Sequence, residues 1–152
     1  MPQDLSHQQT ISKRIEFPAG HRLPNYSGAC ANLHGHTFAV EVTLGIDYLN
    51  DDGFVVDLTE VNSFLKNWID VNWDHAFLVS RRDDDVVAFL KAHNFKWYVM
   101  EDYPTIENMA RCLFAAVDGR WMGVTVHKVV VWESPTSYTV YTAAREGFLK
   151  GV

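Results

Sequence analysis

The chain has 152 residues, 47% of them hydrophobic and 21% charged, with a formal charge of −6. That length and balance suit one domain over 1–152 with its own hydrophobic core, while the acidic sign argues against general nucleic-acid binding. No apolar run approaches the ~18 residues of a membrane span, and the start Met1 to Gln9 has no basic n-region and no apolar h-region, so a signal peptide is not expected and a cytoplasmic location is.

Residues 1–10 are polar and expected to fray. Strand character runs from about Ile11 to His21, with Ile11, Ile15 and Phe17 as apolar members. Pro24 to Gly28 reads as a loop. From His36 to Ile46 the chain alternates: Phe38, Val40, Val42 and Leu44 share one face and Thr37, Ala39, Glu41 and Thr43 the other. That is the period of a half-buried antiparallel strand. Asp51-Asp52-Gly53 is a turn. A helix follows from Asp57, which has capping-box spacing with Glu60, and Val61, Phe64, Leu65, Trp68 and Ile69 continue at helical intervals. Trp73 to Leu78 reads as a connection, Asp83 to about His93 as a short helix, and Lys96 to Met100 as a strand. The run Arg81 to Asp85 is taken as a solvated helix start. Thr105 N-caps a helix reaching about Val117. Thr125 to Trp132 and Tyr138 to Thr142 are the final strands, joined by the polar stretch Glu133 to Ser137. The order predicts an α+β fold with helices on one face of an antiparallel sheet.

Chemistry concentrates in Cys30-Ala-Asn-Leu-His34-Gly-His36, with His21 upstream. If the second strand begins at His34, His34 and His36 project the same way, and Gly35 lets a neighbouring backbone come close. Three imidazoles suit an open zinc site with a free fourth position. Cys30 is then either a fourth ligand, which would close the site, or a reactive base whose thiol is activated by the nearby cation. Spacing alone leaves both open. Asp74 and His75 are either a hydrogen-bonded pair that fixes the imidazole tautomer or a helix-end Asp beside an incidental His. Glu133, at the end of an apolar strand, is either a solvent-facing terminus or an acceptor for an N–H and NH₂ edge such as that of a guanine or pterin ring. The two cysteines form no disulfide framework, and Cys112 sits in a helical apolar pattern as a small hydrophobe.

Six segments, FPAGHRL (17–23), CANLHGH (30–36), GFVVD (53–57), WDHAFL (73–78), PTIEN (104–108) and WES (132–134), together resemble the family of 6-pyruvoyl- and 6-carboxy-tetrahydropterin synthases, in family order. The resemblance implies a tunnelling fold, with a four-stranded antiparallel sheet and helices on its outer face. It implies a homohexamer of two stacked trimeric barrels with active sites between subunits. By matching positions, His21, His34 and His36 become Zn²⁺ ligands and Cys30 the catalytic base. Asp74 and His75 complete a relay, Glu133 anchors the pterin, and Thr105 and Glu107 help line its pocket.

The three-residue gap between Cys30 and His34 looks like the bacterial 6-carboxy-tetrahydropterin synthases of the 7-deazaguanine (queuosine) pathway. These convert 7,8-dihydroneopterin triphosphate to 6-carboxytetrahydropterin, acetaldehyde and triphosphate. The alternatives are a 6-pyruvoyl-tetrahydropterin synthase and a zinc-stabilised pterin-binding protein without catalysis. Arg22, Arg81 and Lys128 are candidate triphosphate contacts. Trp73 stands where relatives usually have Leu, and the stretch 81–100 is longer than in compact relatives, predicting an added helix and strand near the pocket.

Overall fold

The computed structural model describes residues 9–143. Two long strands, β1 (Gln9–His21) and β2 (His34–Ile46), pair antiparallel without interruption from Gln9↔Ile46 to His21↔His34. Strand β1 therefore starts two residues earlier than the sequence suggests, and β2 begins at His34. Their apolar residues alternate, so the pleat sends Phe17, Phe38, Val40, Val42 and Leu44 to one face, where all are buried.

Three helices follow the apolar periodicity. Helix α1 (Leu58–Asn72) is capped by the Asp57 carboxylate, which accepts from the N–H of Thr59. The capping residue is the predicted one, and its bond goes to Thr59 instead of completing a box with Glu60. Helix α1 lays Val61, Leu65 and Ile69 on the sheet. Helix α3 (Ile106–Val117), capped by Thr105 onto the N–H of Asn108, adds Met109, Ala110, Leu113 and Val117 to the same core. Each such side chain other than Ala110 is worth about 1.5–3 kcal/mol on burial, and together they fix the helices against β1, β2 and β5 (Thr125–Ser134).

The sheet has six strands in the order β4-β3-β1-β2-β5-β6, which corrects the expectation of four. The four antiparallel strands are β1, β2, β5 and β6 (Ser137–Thr142), the last two joined through Pro135 and Thr136. The added pair, β3 (Phe77–Ser80) and β4 (Trp97–Met100), is parallel: β3 runs parallel to the end of β1, and β4 to β3. The sequence of β3 reads as connection because a four-residue strand buried on both faces is a plain apolar run without alternation.

Helix α2 (Asp84–Ala92) crosses between β3 and β4. Its Val86 and Leu90 pack with Val79, Phe77, Trp97 and Val99, whereas Leu78, Tyr98 and Met100 of the same strands join the main core. The predicted added helix thus lies on the opposite face of the sheet from α1 and α3. Trp73 is fully buried among Phe17, Trp68 and Tyr98. Tyr98 comes from the added strand, so the indole in place of Leu has its own partner there. No helix among the described residues is long and apolar enough to cross a membrane.

Candidate metal centre and its surroundings

The register of β1 and β2 decides where the histidines go. His21 is directly opposite His34, and Ala19 opposite His36, so all three imidazoles share the core face at the open end of the ladder. Phe38 forms the floor, its ring centroid 5.4 Å from that of His21 and 5.2 Å from that of His36. One ring nitrogen from each imidazole lies within 4.8 Å of the others. Among the described residues, no other group of three or more metal-capable side chains gathers in this way.

Gly20 and Gly35 are paired across the same ladder. A Cβ on Gly35 would stand 2.7 Å from the Ala19 carbonyl oxygen. Glycine between the two histidines is therefore required by the closeness of the strands.

The tautomers are set by the main chain. His21 Nδ1 lies 2.7 Å from the Pro104 carbonyl and His34 Nδ1 lies 2.8 Å from the Asn32 carbonyl. A carbonyl only accepts, so each Nδ1 carries its proton and each Nε2 presents a lone pair. The Nε2 atoms of His21, His34 and His36 are buried and have no hydrogen-bond partner. Burial, aided by the other two imidazoles and opposed by the Pro104 bond, lowers the His21 pKa to about 4. Burial also lowers that of His36, against a raising influence of the Glu133 carboxylate. Neutral imidazoles with free, converging lone pairs fit a divalent metal such as zinc.

The other predicted residues lie outside this three-imidazole group. Cys30 sits in a 3-10 turn (Ala29–Ala31) whose Cys30 carbonyl accepts from the N–H of Leu23, tying the turn to the end of β1. Its thiol is half-buried and not part of the three-imidazole cluster. Asp74 Oδ2 is 3.0 Å from His75 Nδ1, so the adjacent pair does share a contact. The His75 side chain is 76% exposed, and its backbone is left-handed at φ 56°, a conformation few non-glycine residues adopt. Its N–H donates to the Pro18 carbonyl, which binds the turn to β1.

Glu133, on β5, is half-buried and close enough to influence His36. Thr105 caps α3 directly after Pro104, the residue that orients His21. Glu107 is exposed in the first turn of α3, where its charge suits the helix dipole. A cavity of about 800 Å³ lies between α2 and the ends of β1 and β2, with Gly20, Gly35, His75, Phe89, Phe95 and Lys96 in its wall.

One expectation about charge is corrected. Asp83 is only 5% exposed, and Arg22 reaches both of its oxygens at 2.6 Å, so the Arg81–Asp85 run is not simply solvated. That pairing also commits Arg22, and Arg81 pairs with Glu101. Lys128 pairs with Thr43 on the face opposite the histidines.

A model of the family described as 6-pyruvoyl tetrahydropterin synthase matches residues 10–144. The chain belongs to this family. Within it, the chain is 34% identical over 158 residues to the 6-carboxy-5,6,7,8-tetrahydropterin synthase of Aquifex aeolicus, covering 86% of this chain and 96% of that one. It is 32% identical over 142 residues to the protein of the same name in Bacillus subtilis, covering 90% and 87%. Among solved structures, a protein from Wolinella succinogenes superposes with a TM-score of 0.81 at 22% identity, covering 91% of this chain and 100% of that one. The 6-pyruvoyl tetrahydropterin synthase of Caenorhabditis elegans superposes with a TM-score of 0.66 at 23% identity, covering 90% and 96%. These superpositions establish the tunnelling fold.

Proposed function

We propose that this tetrahydropterin synthase family member is a zinc-dependent 6-carboxy-5,6,7,8-tetrahydropterin synthase. It would convert 7,8-dihydroneopterin triphosphate to 6-carboxytetrahydropterin, acetaldehyde and triphosphate, in 7-deazaguanine biosynthesis. The observation that carries the reading is the convergence of three unpartnered imidazole nitrogens beside Glu133, in a chain whose curated relatives bear that name.

His21, His34 and His36 would hold zinc through Nε2 and leave one position open. When bound, zinc supplies Lewis acidity that polarises a hydroxyl or carbonyl oxygen and acidifies neighbouring C–H and O–H groups. Glu133 accepts the N–H edge of the pterin and orients the side chain to be cleaved. Cys30, as thiolate, removes a proton from that side chain. His75 exchanges the second proton through Nε2, because Asp74 accepts from its Nδ1–H and fixes the tautomer. Thr105 and Glu107 would help line the pterin pocket.

The open sheet edges support the proposed assembly. Strand β3 covers β1 only at Gly20 and His21, which leaves Gln9 to Ala19 without an outer partner strand among the described residues. Strand β6 ends the sheet on the other side, and Tyr138 and Val140 on it are about half exposed. Pairing of such edges between copies closes a sheet into a barrel, and two trimeric barrels make the proposed hexamer.

Product analysis by mass spectrometry tests the function. Zinc-loaded protein given 7,8-dihydroneopterin triphosphate is expected to release acetaldehyde and 6-carboxytetrahydropterin. A 6-pyruvoyl product without acetaldehyde would assign the other reaction, and no product at all would leave a binding protein.

A further inference from the structure

The segment from Arg81 to Met100 touches the functional apparatus at two points. At its start, Asp83 occupies the N-cap of α2 but makes no side-chain cap to its own helix. Its carboxylate is turned instead to Arg22, taking Nε and Nη2 at 2.6 Å each, and is nearly inaccessible to solvent. This is a bidentate, charge-assisted pair with fixed geometry. Arg22 directly follows His21, so the pair holds the strand end from which that imidazole projects.

At the far end of the segment, Lys96 donates to the main-chain carbonyls of Asp70 and Asp74, each at 2.6 Å. The Asp74 carbonyl belongs to the peptide leading into His75, whose left-handed backbone needs support from its surroundings. The ammonium therefore pins the turn that presents His75 to the last turn of α1. Arg22 and Lys96 have no second copy of these contacts: each anchor acts on one residue of the site, and they act on different ones.

We propose that Asp83 and Lys96 are positioning residues, Asp83 for His21 and Lys96 for His75, so that the added α2–β4 unit braces the two halves of the reaction centre separately. The proposal rests on the roles assigned above to His21 and His75. Its test reads the placement of those imidazoles directly, so it stands or falls apart from the identity of the product.

The full chain is compared as wild type, Asp83→Asn, Lys96→Met and Lys96→Arg. Zinc affinity is measured by competition with a chromophoric chelator, and imidazole placement by histidine ¹⁵N resonances. Asp83→Asn is expected to weaken zinc about tenfold, the low end of what outer-shell changes cost. It should shift the His21 signal and leave that of His75 in place. Lys96→Met should keep zinc affinity within about twofold. It should move the His75 Nδ1 signal toward that of an unbonded ring and lower kcat about tenfold with little change in KM. Lys96→Arg, which still donates to both carbonyls, should restore the His75 signal.

If Asp83→Asn does not fold, Arg22→Gln combined with Asp83→Asn removes both charges without stranding either, and the same shifts are expected. Variants that lose thermal stability alone, with zinc affinity and both histidine signals as in wild type, would reduce the unit to a structural appendage and overturn the proposal. A wild-type chain that binds no zinc would refute the metal reading, while the His21 and His75 signals of the metal-free chain would still decide the positioning.

Discussion

Cys30 and the three histidines are close in sequence but differ in setting. The imidazoles lie on a rigid ladder, with the Nδ1 protons of His21 and His34 directed by the main chain, whereas the thiol sits on a single 3-10 turn outside their cluster. Cys30→Ala is accordingly expected to retain zinc, measured by metal analysis, and to lose turnover by about 10²–10⁴-fold, the usual range for a general base. Loss of zinc from that variant would make Cys30 a ligand instead. Glu133→Ala should weaken pterin binding about 10- to 100-fold in a calorimetric titration, the equivalent of a hydrogen bond to a charged group. Unchanged binding would remove its anchoring role. The side-by-side placement of His34 and His36 was legible in the sequence, because strand parity follows from a period of two. The commitment of Arg22 to Asp83 was not, because partners 61 residues apart leave no local pattern.

Helices α1 and α3 were readable because their apolar residues repeat at helical spacing and their caps, Asp57 and Thr105, are residues whose side chains satisfy free N–H groups. Strand β3 and the side of the sheet on which α2 lies were not, since a parallel pairing depends on where a crossover returns and not on the residues of the strand itself. The β1–β2 ladder couples element to site. In Gly35→Ala the new methyl would meet the Ala19 carbonyl oxygen at 2.7 Å, and backbone cannot rotate away as a side chain can. The strands must part, at a cost of about 1–3 kcal/mol, and His34 and His36 move with them. Chemical denaturation and chelator competition should therefore report a loss of stability and a weaker zinc site in the same variant.

For the molecule as a whole, the buried imidazoles set a pH limit in the absence of metal. His21 in the unfolded chain takes up a proton near its ordinary value of 6.5, but in the fold only near 4, chiefly because it is buried. Between those values the unfolded state binds more protons, so stability rises with pH across the window and is lost as pH falls through it. His36, shifted in the same direction, adds to the effect. For His21 alone the loss is on the order of 3 kcal/mol, and thermal melts of metal-free protein from pH 7 to pH 4 should reveal it.

All three histidines belong to one hairpin of one chain, while in the proposed hexamer the edge of β1 that is unpaired among the described residues and the strand β6 at the far side of the sheet meet neighbouring copies. The two requirements for activity thus answer to different variables. Zinc affinity should be the same at nanomolar and micromolar protein, since dilution does not separate ligands joined by a peptide chain. Specific activity should fall on dilution as barrels come apart, leaving single subunits that carry their metal but complete no reaction.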